Sequence, residues 1–421
     1  MADLTTGGGA SRPAGRDVPP SPGADPSAAP PAPDGIAHVG LNLLYLVPGA
    51  VGGSEIYAHQ LVDALARHRP DVRFTVFCGR EAAPSLRGVG WPANVRVHTI
   101  PVDCANKPAR IVAENTLLPG AAARAGVDLL HSLGTTAPLV AGRPSVVTIL
   151  DLIYDAFPTT FPPAARIGLR VLVGPGARRA TRVITISEAV KRDVVARLRV
   201  PAERVDPVLL GHGMRVPADP TAPDVLRARL GLGDGPVVLC VSAALVHKNL
   251  PRLIDAFAKL TPARPDPRLV IVGHHGRERD GLERQIAEQG LDGRVVLTGW
   301  IDDADLEGLY GLAACCAYPS LYEGFGLPVL EAMIRGVPIA CSDATSLPEV
   351  AGDAALLFDP HDPVAIARAI ATLLDDPARA ALLRDRGRAR AARFTWERCA
   401  AGVWETYRRV RTATSGRRAG S

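Results

Sequence analysis

The chain has 421 residues, 47% of them hydrophobic, enough for two ordinary domains with real cores. Its net charge of +5 is local: Arg408, Arg409, Arg411, Arg417 and Arg418 crowd the last fourteen residues without an acid, and residues 1–35 carry four Asp against two Arg. Without those ends the body holds only about +2, which argues against a nucleic-acid-binding face.

Residues 1–35 are dominated by Gly, Ala, Pro and Asp with no apolar run, and read as a disordered leader. No stretch has the length of a membrane span, and the leader lacks the apolar core of a signal peptide, so a cytoplasmic location is expected. The seven cysteines, at 78, 104, 240, 315, 316, 341 and 399, lie mostly in apolar runs without a C-x-x-C, and read as buried small hydrophobes.

From Ile36 the chain alternates short apolar runs with amphipathic stretches. "VGLNLLYLV", "VRFTVFC", "VRVHTI", "VDLLH", "SVVTIL" and "RVITI" are nearly unbroken, as strands covered on both faces should be. "SEIYAHQLVDALARH" and "SEAVKRDVVARL" are helical, the second opening on Ser187 as N-cap. Prolines and glycines in 206–222 mark an interdomain connection. The alternation then restarts with "VVLCV", "RLVIV", "RVVLT", "CCAYP", "VPIAC" and "ALLF". Two such series predict two doubly wound α/β domains, 36–205 and 223–394, whose ligands bind beyond the carboxyl ends of the strands. A final helix over 395–412, with Trp396, Trp404 and Tyr407, is expected to pack across the domain junction, followed by a basic tail, 413–421. That tail is a candidate for weak contact with an anionic membrane surface; the plainer reading is a solvated end.

The stretch "EGFGLPVLE", 323–331, holds two carboxylates around a glycine turn. Pro328 suits the first turn of a helix running to about Arg335, with Gly336 as its stop. Gly324, Phe325, Gly326 and Leu327 then enter that helix, where free backbone N–H groups and the dipole favour an anion. Glu323 and Glu331 can each accept hydrogen bonds from a vicinal diol. A sugar, a diphosphate and a ribose in a row satisfy all three features: a nucleotide sugar.

"EGFGLPVLE" resembles the paired-glutamate motif of retaining GT-B glycosyltransferases of the family-four type, especially the bacterial mannosyltransferase and rhamnosyltransferase branches. "GAVGGSE" (49–55), "SAALVHKNLPRLIDAF" (242–257), "LTGWIDDADLEGLY" (297–310) and "SLPEVAGDAALLFDP" (346–360) are similar to further motifs of that family. The resemblance covers roughly 36–412 and implies a GT-B fold, two Rossmann-like domains facing across a cleft, with the acceptor on the first and the donor on the second. It implies transfer of a hexose, mannose or a 6-deoxy hexose among the candidates, from a nucleotide diphosphate sugar with retention at the anomeric carbon. The acceptor is open between a glycan, a lipid carrier and a small-molecule aglycone. No cofactor and no metal are expected, and no His, Cys or carboxylate cluster has metal-ligand spacing.

Residue by residue, the resemblance places Glu323 against the transferred sugar and Glu331 on the ribose. The backbone of Phe325, Gly326 and Leu327, beside Gly324, meets sugar and phosphate oxygens. Lys248, one of four lysines beside forty-four arginines, would neutralise the leaving diphosphate. His247 stands where the family often has arginine. Gly52 and Gly53 would bring the opposite domain's backbone to the diphosphate, and Gly273 and Trp300 would edge the nucleotide pocket. Glu323, Lys248 and Asp151 form the candidate catalytic set. Leu150 departs from the family, which commonly reads histidine before this aspartate, beside the 6-position of the donor sugar.

For Asp151 and His131, both at strand ends, a functional role stands level with an N-cap aspartate and a satisfied histidine. His274 and His275 read as solvent-exposed more readily than as pocket residues. The alternatives to transfer are a hydrolase or sugar-nucleotide epimerase, and a non-catalytic nucleotide-sugar-binding protein.

Overall fold

The computed structural model describes residues 35–49, 52–212, 219–260, 266–274 and 278–419. The expected leader therefore falls, except for Gly35, outside the described residues, as does His275.

Strands β1 (His38–Asn42), β2 (Arg73–Cys78), β3 (Val95–Thr99), β4 (Leu129–Ser132), β5 (Ser145–Ile149), β6 (Arg182–Thr185) and β7 (Val205–Pro207) build one parallel sheet in the order β3-β2-β1-β4-β5-β6-β7. A second parallel sheet holds β8 (Val237–Val241), β9 (Arg268–Val272), β10 (Val295–Gly299), β11 (Ala313–Tyr318), β12 (Ile339–Ser342) and β13 (Leu356–Phe358), in the order β10-β9-β8-β11-β12-β13. Both are α/β doubly wound, Rossmann-like sheets, and β1 and β4 are buried along their whole length; the polar residues they bury, His38, Asn42, His131 and Ser132, are hydrogen-bonded within the core. Each sheet reverses winding once, between β1 and β4 and between β8 and β11. Such switch points open a crevice at the carboxyl ends of the strands.

β7 begins at the last residue of the expected first domain, Val205, and runs into the segment expected as the interdomain connection. Its three residues include Asp206 and Pro207, which hide it from an apolar pattern. It is an edge strand paired only with β6, and Asp206 is held by Arg182 at 2.6 Å and Arg409 at 2.7 Å.

Helix α1 (Gly53–His68) follows β1, and α2 (Glu188–Leu198) follows β6 with Ser187 as N-cap, its Oγ accepting from the Val190 N–H at 3.1 Å. Helix α3 (Leu327–Ile334) has proline in its first turn, and Gly336 beyond it takes the left-handed φ of 66°.

The last helix, α4 (Trp396–Ala419), continues through most of the segment expected as a basic tail. It starts where the chain recrosses between the domains: Phe394 O accepts the His212 N–H, and Gly211 leaves no room for a Cβ against the Trp396 backbone. From there it docks on the first domain, not along the junction. The Trp396 ring lies 6.3 Å from that of Tyr57, the Arg69 guanidinium covers Trp404 at 4.0 Å, and Tyr407 reaches His131.

Candidate functional site

Lys248 ends a single 3-10 turn just after β8, and Glu323 lies five residues beyond β11. Those strands are neighbours at the second sheet's switch point, so residues 75 apart in sequence meet: Lys248 Nζ is 2.7 Å from Glu323 Oε1. The same oxygen accepts from Ser320 Oγ at 2.8 Å. The Glu323 N–H donates to Thr345 Oγ1 at 3.0 Å, and Ser346 Oγ lies 2.7 Å from the Phe325 carbonyl and 3.0 Å from that of Glu323. The turn is thus held at its backbone, and the carboxylate is aimed before any ligand arrives.

Asp151 approaches from the first domain, two residues beyond β5. Its Oδ1 accepts the Ile153 N–H at 3.1 Å, two residues on, while the short helix Ile153–Ala156 has Leu152, not Asp151, as its N-cap. Burial pushes its carboxyl above the usual range; the Ile153 bond opposes that, Glu323 adds to it and Lys248 opposes it. Gly324 makes the approach possible, because a Cβ there would collide with the Leu150 carbonyl and sit 3.3 Å from Asp151 Cβ. Asp151, Glu323 and Lys248 therefore form one cluster spanning the cleft.

Gly326 enters α3 with φ 113°, and Gly53 faces it from α1, its Cβ direction meeting Leu327 Cδ1 at 3.5 Å. Gly52, with φ 54°, opens onto free space. The Phe325 side chain turns into the core, 5.9 Å from the Phe394 ring, leaving its backbone to the turn. Glu331, one turn into α3, borders a pocket lined by Gly53, Ile56, Tyr57, His212, Leu330 and Trp396. Tyr310 OH donates to its Oε2 at 3.2 Å. Burial raises its carboxyl, against which Arg335 acts. Arg335 is itself paired with Glu307 at 2.6 Å and lies over the Tyr310 ring at 4.3 Å.

A second pocket lies at the ends of β8, β9 and β10 between Ser242, Gly273, His274 and Gly299. Gly273 has φ 153° and would drive a Cβ into the Ser242 carbonyl. Trp300 is 70% exposed with its ring 5.5 Å from that of His274, itself exposed as expected. His247 is buried against Phe157 of the first domain, ring centroids 5.9 Å apart, and its Nδ1 has no hydrogen-bond partner. Burial and then Lys248 push its pKa down to about 4, so it is neutral.

His131 is a structural residue. It is wholly buried, with Nδ1 2.7 Å from Tyr407 OH and Nε2 2.8 Å from Thr148 Oγ1, and burial takes its pKa down to about 3. Sequence reasoning missed the residues that hold the two glutamates. Tyr310 and Ser346 sit within motifs it had singled out, and Ser320 lies three residues before Glu323; Thr345 carries no signal beyond a left-handed φ of 53°.

All seven cysteines are buried and unpaired. Among the described residues no group of three or more His, Cys, Asp or Glu could hold a metal, and no helix is long and apolar enough to cross a membrane.

Comparison with known proteins matches residues 51–211 to the model of Glycosyltransferase Family 4 and residues 224–390 to that of Glycosyl transferases group 1. The O-antigen chain mannosyltransferase B of Escherichia coli is 34% identical over 232 residues, 54% of this chain and 61% of that protein. The alpha-D-kanosaminyltransferase of Streptomyces kanamyceticus is 31% identical over 248 residues, 56% of this chain and 63% of its own length. The chain thus spans less than two thirds of the curated relatives it matches. Among solved structures, a sucrose-phosphate synthase from Thermosynechococcus elongatus superposes with a TM-score of 0.68 at 25% identity, covering 90% of this chain and 100% of that one. Anabaena HepE, in complex with UDP and glucose, has the same fold, with a TM-score of 0.66 at 24% identity over 88% of this chain and 99% of its own.

Proposed function

The chain belongs to the family-four type of GT-B glycosyltransferases, and from that premise we propose that it transfers a hexose from a nucleotide diphosphate sugar to a hydroxyl acceptor with retention at the anomeric carbon. The observation that carries this is the cluster of Glu323, Lys248 and Asp151 across the cleft, with the Gly53 and Gly326 turns facing each other beside it. The donor diphosphate lies between those turns. Glu331 takes the ribose hydroxyls and Glu323 the hydroxyls of the transferred sugar. His247, Gly273 and Trp300 border the nucleotide.

Lys248 shifts from its Glu323 partner toward the diphosphate as the glycosidic bond breaks and charge grows on the leaving oxygen, the point at which a fixed cation counts most. Asp151 orients a hydroxyl, and the leaving phosphate takes the acceptor proton on the face where the bond breaks. The relatives named as mannosyltransferases and a kanosaminyltransferase support a hexosyl donor, and HepE with UDP and glucose supports a nucleotide-sugar ligand. No cofactor and no metal are needed in this scheme. The acceptor is a glycan, a lipid carrier or a small-molecule aglycone.

The test is a thermal-shift screen of nucleotide sugars, followed by mass spectrometry of products formed from the best donor. A ligand at one hundred times its Kd should add about 2.7 kcal/mol of apparent stability. Stabilisation without any glycosylated product over a broad acceptor panel would favour a non-catalytic binding protein; release of free sugar would favour a hydrolase.

A further inference from the structure

Helix α2 belongs to the first domain, yet three residues of the second domain, Gly324, Tyr322 and Glu349, hydrogen-bond to it or to its N-cap. Ser187 Oγ, while capping α2, donates to the Gly324 carbonyl at 2.8 Å. The Glu188 N–H, in the first turn, donates to the Glu349 carboxylate at 2.9 and 3.0 Å. Tyr322 OH donates to Asp193 Oδ2 at 2.7 Å. Tyr322 also accepts the Leu152 N–H at 3.3 Å, so one buried hydroxyl joins α2, the residue after Asp151 and the residue before Glu323.

The segment between Asp151 and Thr160 is clamped by the same side chain. Phe157 lies 6.2 Å from the Tyr322 ring and 5.9 Å from that of His247. On its outer side Asp155 is tied to Arg170 at 2.7 Å and to Arg197 at 3.1 Å, and Arg197 is tied back to Asp193 at 3.1 Å. A Tyr hydroxyl donating to a carboxylate is a charge-assisted bond, stronger and shorter than a neutral one. These contacts need both domains in place, because Tyr322 and Gly324 come from the second and Leu152, Ser187 and Asp193 from the first. Gly324 and Tyr322 flank Glu323 on either side.

We infer that Tyr322 is a positioning residue, whose hydroxyl latches the second domain onto α2 through Asp193 and Leu152 and so brings Asp151 to the Glu323–Lys248 pair. It touches no reacting atom. Glu323 and Lys248 meet within the second domain alone, whereas Asp151 joins them only when the latch is made. Only the kinetic arm of the test below rests on the glycosyl-transfer reading.

Hydrogen exchange on the whole chain, with no substrate, reads the latch directly. Tyr322→Phe keeps the ring and removes both bonds of the hydroxyl, and should raise exchange in residues 150–157 by about tenfold or more while leaving β1, β4, β8 and β11 unchanged, the size expected for loss of a charge-assisted hydrogen bond together with a weaker one. Asp193→Ala, which leaves the Leu152 bond, should raise exchange there by a smaller factor, Tyr322→Phe combined with Asp193→Ala should add nothing beyond Tyr322→Phe, and Asp193→Asn, a neutral acceptor, should restore part of the native protection. In turnover, Tyr322→Phe should lower kcat about tenfold with donor KM held within about twofold, as for loss of positioning and not of uniform binding. Native exchange at 150–157 in Tyr322→Phe overturns the inference. So does a rise spread through both sheets with a lowered melting midpoint, which marks a hydroxyl that only stabilises. If the native protein turns over no donor, the exchange comparison still decides the latch, and the failure belongs to the reading of the reaction.

Discussion

Lys248 and Glu323 form an ion pair of 2.7 Å in which the side chains are only 16% and 15% exposed. Each is therefore the other's partner before any donor binds, and removing either strands a charge in a partly desolvated place. On the proposed reaction, the growing charge of a departing diphosphate would compete with Glu323 for the ammonium. Lys248→Ala should therefore slow transfer by about 10²–10³-fold, the range for deleting one preorganised electrostatic contact, with a smaller change in donor KM. Steady-state kinetics checks this; a raised KM at unchanged kcat would show that Lys248 only binds.

Glu331 stands apart from that pair, beside the Gly53 pocket, with Tyr310 OH donating to it and Arg335 occupied by Glu307. Glu331→Ala should weaken a free nucleoside diphosphate by about 10–100-fold, the worth of a hydrogen bond to a charged group. Glu323→Ala should spare the free nucleotide and weaken only the sugar nucleotide. Isothermal calorimetry with both ligands separates the two, and equal losses for free nucleotide would show that the glutamates do not address opposite ends of one donor.

What the sequence disclosed follows from where the signal is local. Most central strands are buried on both faces and therefore mostly apolar, and β3, part-buried at a sheet edge, still carries Val95 and Val97, so twelve of the thirteen described strands were readable, while Val205–Pro207 needed an edge position to exist at all. The turn and start of α3 were readable because Gly326, Pro328 and Gly336 each answer a backbone demand at one residue. The Lys248–Glu323 pair was not, since it depends on β8 lying beside β11, which is a property of strand order. His131 was undecidable for the same reason: its partner Tyr407 lies 276 residues away on a helix whose docking site no local pattern states. The bonds of Tyr322 and Ser187 needed the relation between domains as well.

The buried His131 predicts a pH effect of definite sign. Its folded pKa of about 3 lies below the usual 6.5, so between those values the unfolded chain binds a proton that the folded one refuses. Its contribution is present above pH 6.5 and is lost as pH falls toward 3, by up to about 1.4 kcal/mol per unit. Asp151, Glu114 and Glu331, whose carboxyls are raised by burial, act in the opposite direction. A comparison of variants isolates the histidine. His131→Gln keeps a polar partner for Tyr407 and Thr148 but does not titrate. Its melting midpoint should fall less than the native one between pH 7 and pH 4.5; equal falls would mean that His131 titrates normally.

Leu150 bears on donor choice under the proposed reaction. It is half-buried on the first core, its carbonyl lies under Gly324, and it precedes Asp151, so any ligand reaching Asp151 and Glu323 passes beside it. Enzymes that resemble this one commonly carry histidine there, beside the 6-position of the donor sugar. Leucine can neither donate nor accept, and a sugar hydroxyl buried against it without a partner would cost about 1–3 kcal/mol. A methyl group in the same place would gain from the contact. His131 offers no substitute, because both its nitrogens are taken up in the core by Tyr407 and Thr148. A 6-deoxy donor should therefore be preferred over its 6-hydroxyl counterpart by about tenfold in kcat/KM, as one unsatisfied hydroxyl implies. Leu150→His should shrink or reverse that preference. The measurement is a competition between two donors differing only at carbon 6, run on the native protein and the variant. A native preference for the 6-hydroxyl donor ends the idea, and an unchanged ratio in Leu150→His shows that the leucine only packs.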